Sequence, residues 1–304
     1  MPESGIVSEP ASPLARPRRR SLAERGFDGV TLLVLPAALF VLLLFVYPFL
    51  YGLALSFAPK TGDWLANYTR FFADPYMYRT IWLTLRLALP VTVLNIALSV
   101  PIAMQVRHMR HQRLLTTILV LPITLGTVLV AEGLLNYLGP HGWFNRTLVS
   151  IGLIDRPIRL VQNYWGVFLS LIVTGFPFAF LLTLSMISGI DPALEQAAAT
   201  LGGRAHQRFR RIVLPLIIPG LAVIFCLAFV DAFSVFPSAV MIGAPAAETR
   251  VISLAASQAA FEQYDYSYAS AIAMIMAAVQ FGFVAAVLGI RGLLYRGPAG
   301  GGKG

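Results

Sequence analysis

A chain of 304 residues that is 57% hydrophobic and only 12% charged, with a mean hydropathy of +0.74, has too little polar surface to cover a soluble globule. Its net charge of +9 raises nucleic acid as a partner, but the arginines fall on alternate loops of an apolar chain, a membrane-topology pattern. The lone Cys226 sits inside an apolar run and excludes an intrachain disulfide.

Residues 1–28 are rich in Pro, Ser and Arg and read as a disordered basic tail. The apolar run over about 31–56 is too long for a signal-peptide core and has no small-residue cleavage site, so it is expected to stay in the membrane. Further spans are predicted over about 81–106, 114–138, 164–189, 212–236 and 268–294, each with the roughly 20 apolar residues a crossing needs. The expected fold is an all-α integral membrane protein with six transmembrane helices over 29–296 and a flexible tail at 297–304. Pro48, Pro90, Pro101, Pro122 and Pro177 fall inside spans, where neighbouring helices re-satisfy the freed carbonyls. Gly175, Ala222 and the Ala-rich stretch 269–278 suit close helix contacts.

Fifteen Lys and Arg residues lie on one set of alternate loops, among them Arg18, Arg107, Arg204 and Arg291, and seven on the other. The richer side is expected to be cytoplasmic, with both termini inside a bacterial inner membrane. The opposite loops, about 57–80, 139–163 and 237–267, are aromatic and mixed-polar, which fits interfacial segments or a docking surface for an outside partner.

One cytoplasmic stretch is too ordered for a connector. In "LEQAAATLGGRAHQRFRRIVLPLIIPG", Asp191 is placed to cap a short helix over 192–201 and Glu195 falls in its first turn. Gly202-Gly203 then breaks it, and a second helix is predicted to run into the fifth span. Ala197-Ala198, Gly202, and Ile212, Leu214 and Pro215 nine residues later resemble the coupling loop of binding-protein-dependent ABC import permeases. Gln196 stands where that family has Glu, with Glu195 beside it. The flanks "NYTRFFADPYMYRTIWLTLRLAL" and "GAPAAETRVISLAASQAAFEQYDYSYASAIAM" are similar to the spermidine/putrescine branch.

The resemblance implies a type I importer permease whose loop at about 190–215 couples to an ATPase through Glu195, Gln196, Ala197, Ala198, Gly202, Ile212, Leu214 and Pro215. It implies a homologous second permease, a dimer of ATP-binding subunits that hold ATP and magnesium, and an extracytoplasmic solute-binding protein. The implied substrate is polyamine-like, with phosphonate, thiamine or ferric iron as alternatives. An ion-gradient-driven secondary transporter is the rival from another class, although no inverted repeat is visible between residues 30–138 and 164–294.

No enzyme chemistry is legible. "GPAGGGKG" imitates a phosphate-binding loop, but Gly304 stands where a magnesium-binding hydroxyl is needed and no strand precedes it. His108 and His111 have zinc-ligand spacing, but three arginines surround them and oppose a cation. The expensive residues are ionisable ones inside spans, Arg86, Glu132 and Asp231. At 1.5 Å per residue, Glu132 and Asp231 lie ~27 and ~29 Å from the cytoplasmic ends of their spans, and Arg86 ~9 Å from its outer end. Two readings stand: Arg86 pairs one acid to hold helices together, or Asp231 and Glu132 line a path for a cation. Asn95, Gln280 and Gln105 are weaker path candidates.

Overall fold

In the computed structural model the described residues are 29–244 and 249–294, so the two expected tails, 1–28 and 297–304, lie outside them. Their elements, all helical, are α1 (Gly29–Ser56), α2 (Ala66–Ala73), α3 (Pro75–Val106), α4 (Gln112–Leu138), α5 (Trp143–Ser150), α6 (Tyr164–Ser188), α7 (Pro192–Thr200), α8 (Ala205–Arg208), a π turn (Phe209–Val213), α9 (Leu214–Phe233), α10 (Pro237–Met241), α11 (Ile252–Phe261) and α12 (Tyr266–Leu294). Six of these helical segments are long and apolar enough to cross a membrane, as expected. The chain divides into two compact units, one up to Tyr51 and one from Gly52 onward. The first unit holds most of α1, an almost wholly apolar helix with Pro36 and Pro48 inside it.

In the second unit, α3 and α6 are the central pair, flanked by α4 and α9. The start of each is fixed by a short polar side chain. Asp74 accepts from the Tyr76 amide at 2.8 Å, and Pro75 occupies the first helical position, where its missing N–H costs nothing. This cap starts α3 six residues before the 81 expected from hydropathy, because Tyr76, Tyr78 and Arg79 mask the helix in an apolarity count. Asn163 caps α6 in the same way, accepting from the Gly166 amide at 2.9 Å. Within α3, Thr84, Thr92 and Ser99 turn their hydroxyls back onto carbonyls four residues earlier, at 2.6–2.7 Å. Buried hydroxyls are thereby satisfied without a partner helix.

Two apolar clusters fill the space around the central pair. At the α7 end, Ala103, Phe180, Ile187, Val213 and Ile217 are buried together. Toward the other end, Leu87, Phe229, Phe233, Ile252 and Ile272 form the larger cluster, with Phe229 stacked on Phe283 at 3.9 Å between ring centroids. Its far side is closed by polar contacts. Buried Asn67 donates to the Ser56 carbonyl at 3.0 Å and to Ser267 Oγ at 2.7 Å. Arg70 pairs with Asp265 at 3.3 Å and lies over the Tyr268 ring at 4.1 Å, fastening α2 to the start of α12. The predicted aromatic and mixed-polar loop at 57–80 is therefore a structured cover.

The third span differs from the uninterrupted helix expected over 114–138. Gly126 has φ +76° and ψ 159°, which breaks α4 into two helical pieces. A close approach is instead built around Gly166: a Cβ there would lie 2.4 Å from the Leu160 carbonyl oxygen and 2.8 Å from Ile242 Cγ2. Alanine favours a helix over glycine by ~1 kcal/mol, whereas overpacking a filled site costs ~1–3 kcal/mol. Packing should win, so Gly166→Ala is expected to lower the thermal unfolding midpoint in detergent. An unchanged or raised midpoint would show that the site has room.

Candidate functional site

The connector between α6 and α9 folds as its sequence demands. Asp191 accepts from the Ala193 amide at 2.9 Å and Pro192 opens α7, with Glu195 in its first turn. At the other end the Gly202 amide donates to the Ala199 carbonyl at 3.0 Å, and the Gly203 amide to that of Ala198 at 2.9 Å. This paired closure needs a left-handed residue, supplied by Gly202 at φ +80°. Gly203 is needed for a separate reason, since a Cβ there would sit 2.7 Å from the Ala198 oxygen.

Beyond the glycines the path into the fifth span is less regular than expected. Gln207 Oε1 accepts from the Arg204 amide at 3.0 Å and starts α8. Phe209–Val213 then forms a π turn, closed by the Leu214 amide on the Phe209 carbonyl. Pro215 explains its position: a proline cannot donate to the carbonyl four residues back and its ring crowds that oxygen, so a widened turn just before it relieves the clash. Ile212 and Leu214 are half-buried on this passage, and Pro215 is exposed.

Glu195 is turned inward. Its carboxylate pairs with the Arg107 guanidinium, and the two side chains are only 15% and 8% exposed. Arg107 also donates to the Ile187 carbonyl at 3.4 Å, so one side chain gathers the ends of α3, α6 and α7. Gln196 and Ala197 face outward, Ala198 is half-buried, and apolar Leu201 projects at 88% exposure. A cavity of about 590 Å³ lies beside the pair, lined by Arg107, His108, Pro192, Glu195, Gln196 and Arg208. His108 meets Arg107 Nε across 2.9 Å, and none of the described residues forms a metal-binding group there.

The intramembrane ionisable residues are not brought together. The described residues hold three ion pairs, and none includes Arg86, Glu132 or Asp231. Of the two readings, the pairing of Arg86 with an acid is not seen among the described residues: Arg86 lies near the Tyr164 ring, 6.0 Å from its centroid, while the Tyr164 hydroxyl donates to the Arg86 carbonyl at 2.9 Å. Exposed Glu132 accepts from Asn136, one turn on, at 3.1 Å. Asp231, in the last turn of α9, opens into a cavity of about 370 Å³ with Pro122, Gly126, Thr127, Phe178 and Phe236. Gln280 reaches the same turn, donating to Ser234 Oγ at 2.9 Å and to the Val230 carbonyl at 3.3 Å. Asn95 is elsewhere, buried where α3 crosses α6 at Gly175, so no cavity is open to it. Sequence reading missed Gly126, whose broken helix shapes the Asp231 cavity. It also missed Arg107, counted only as a topology charge.

Six helices long and apolar enough to cross a membrane, with a rigidly capped short helix between the fourth and fifth, are what comparison then places. Residues 61–291 match the profile of the binding-protein-dependent transport system inner membrane component. The chain belongs to this family. It is 29% identical over 205 residues to the spermidine/putrescine transport system permease protein PotB of Haemophilus influenzae, covering 64% of this chain and 71% of that one. PotB of Escherichia coli K12 is 31% identical over 174 residues, 57% of this chain and 63% of that one. A crystal structure of a bacterial ABC transporter involved in import of the acidic polysaccharide alginate contains a chain of the same fold, with TM-score 0.77, 24% identity, and coverage of 90% of this chain and 99% of that one. The permease is thus an ABC importer subunit, and family membership decides against the gradient-driven alternative.

Because both members of the Arg107–Glu195 pair are largely removed from water, replacing one alone strands a charge, at a cost of ~3–5 kcal/mol. Arg107→Leu and Glu195→Leu should each raise amide exchange across 192–200 and lower the unfolding midpoint of the permease. The double Leu variant should recover most of that loss. Losses that simply add in the double variant would show that the two side chains act independently.

Proposed function

We propose that this permease forms, with a homologous second permease, the membrane path of a polyamine importer. A solute-binding protein delivers substrate on the side opposite α7, and a pair of ATPase subunits works on the cytoplasmic side, where both termini also lie. The similarity to the two PotB proteins supports the substrate class. The observation that carries the reading is Asp231: a carboxylate with no ion-pair partner among the described residues, opening into a cavity flanked by Phe178 and Phe236. A carboxylate attracts an ammonium group, and aromatic faces add cation–π attraction. With Arg86 engaged elsewhere, that negative charge is left available to substrate. Glu132 offers a second carboxylate on α4, and Gln280 a polar neighbour.

Coupling follows from the rigidity of the connector. Leu194, Leu201, Gln196 and Ala197 present an outward surface for a cleft in the ATPase, and Gly202 fixes the angle at which it leaves α7. ATP and magnesium are held by that partner. When the ATPase pair closes, force on α7 passes through Ala198, Gly202 and the turn at Ile212–Pro215 into α9, and through Glu195 and Arg107 into α3. The helices that carry Asp231 and cover its cavity then move together, opening the path to alternate sides.

Two measurements test the reading. In the reconstituted transporter, Asp231→Asn should cut ATP-dependent putrescine uptake about tenfold or more, since a hydrogen bond to a charged group is worth ~1.5–3 kcal/mol. Uptake equal to wild type at every concentration would remove Asp231 from the path. For coupling, proline cannot adopt the φ of +80° at Gly202, so Gly202→Pro should abolish co-purification of the ATPase while the packed core around α3 and α6 stays folded. Retention of the ATPase by that variant would move the docking surface away from α7.

A further inference from the structure

A third cavity, of about 360 Å³, lies along the first three turns of α3, at the end of the bundle opposite α7. Tyr76, Arg79, Leu83 and Arg86 form a stripe on one face of the helix, with Trp82 at its edge, and Arg250 reaches in from the segment before α11. The backbone holds this segment in place, because the Ile252 amide donates to Thr84 Oγ1 at 3.0 Å. Three guanidiniums converge here, and no acid among the described residues lines the cavity. Arg250 stacks over the Tyr76 ring at 4.4 Å, while its Nε is buried with no hydrogen-bond partner among the described residues. Converging cations and a buried, unused donor call for an anion.

Depth indicates which anion. With 32 residues, α3 is ~48 Å long against a hydrocarbon core of ~30 Å, so about 9 Å projects at each end if it is centred. Arg79, ~6 Å along the helix, then lies at headgroup level. Arg86, ~16 Å along, lies several ångströms below the hydrocarbon boundary, a depth from which an arginine reaches upward along its own stem. At that depth a phospholipid brings its phosphate to the boundary within reach of Arg86 and its chains to the apolar wall. Trp82, 72% exposed between the two arginines, is the amphipathic ring typical of this level. We propose that this cavity binds the phosphate of an anionic phospholipid headgroup, in the leaflet opposite α7. Arginine suits the task because its planar fork meets two phosphate oxygens at once.

The test is native mass spectrometry of the full-length chain in mild detergent, titrated with phosphatidylglycerol or phosphatidylcholine. Phosphatidylglycerol adducts should form at lower concentration than phosphatidylcholine adducts. They should weaken by about tenfold or more in Arg79→Gln/Arg86→Gln/Arg250→Gln, as expected when several cations near a membrane surface are removed. Arg86→Gln alone, at an exposed position, should give a smaller loss and guards against misfolding of the triple variant. Arg146→Gln, exposed on α5, should leave binding unchanged. Equal binding by wild type and both cavity variants would overturn the site, as would an equal loss in Arg146→Gln. Displacement of the lipid by free glycerol phosphate at matching concentration would overturn the lipid as its source.

Discussion

Arg107 is the side chain on which the working end of the molecule depends. Three helix ends meet there, and its guanidinium contacts two of them from the third. With both side chains largely removed from water the pair adds little net stability, because desolvation offsets most of the attraction between the charges. What it supplies is uniqueness, since any other placement of α7 strands a charge. The double-glycine closure fixes the direction of the chain after α7, and the ion pair fixes where α7 lies against α3. The proposed lever needs both constraints, and neither comes from apolar packing, which is non-directional.

The importance of this tether alters the meaning of the departure from the family pattern at 196. With Gln196 outward and neutral, the carboxylate one position earlier serves the interior of the permease. Any polar contact from position 196 to an ATPase is then made by an amide, which can donate as well as accept.

Spans and the caps of α7 were legible in the sequence because both are written in local composition. Asp191 announces a helix start and Gly202-Gly203 a stop, whereas the caps at Asp74-Pro75 and Asn163 went unread beside the hydropathy signal. The break at Gly126 was not legible, since a glycine in an apolar run reads equally well as a helix contact or a left-handed residue. Arg107 was read only as a charge on a loop, because its partner lies 88 residues away in the chain. For Arg86 and the two intramembrane acids the sequence left two readings open. Counting charges suggested a pairing, but helix faces decide contacts, and the tyrosine ring and the neighbouring asparagine occupy those faces instead.

The π turn before Pro215 sets the azimuth of everything after it. A π turn takes up one more residue than an α turn, so it shifts the angular phase of the following helix by about 100° relative to an unbroken α ladder. Asp231 faces the cavity beside Gly126 because α9 begins after that offset. In a homologue of equal length with an ordinary α turn here, the same carboxylate would instead point about 100° around the helix. A single-residue gap across Phe209–Val213 can therefore be absorbed by closing an α turn, whereas the same gap farther along α9 would rotate every later residue by about 100°.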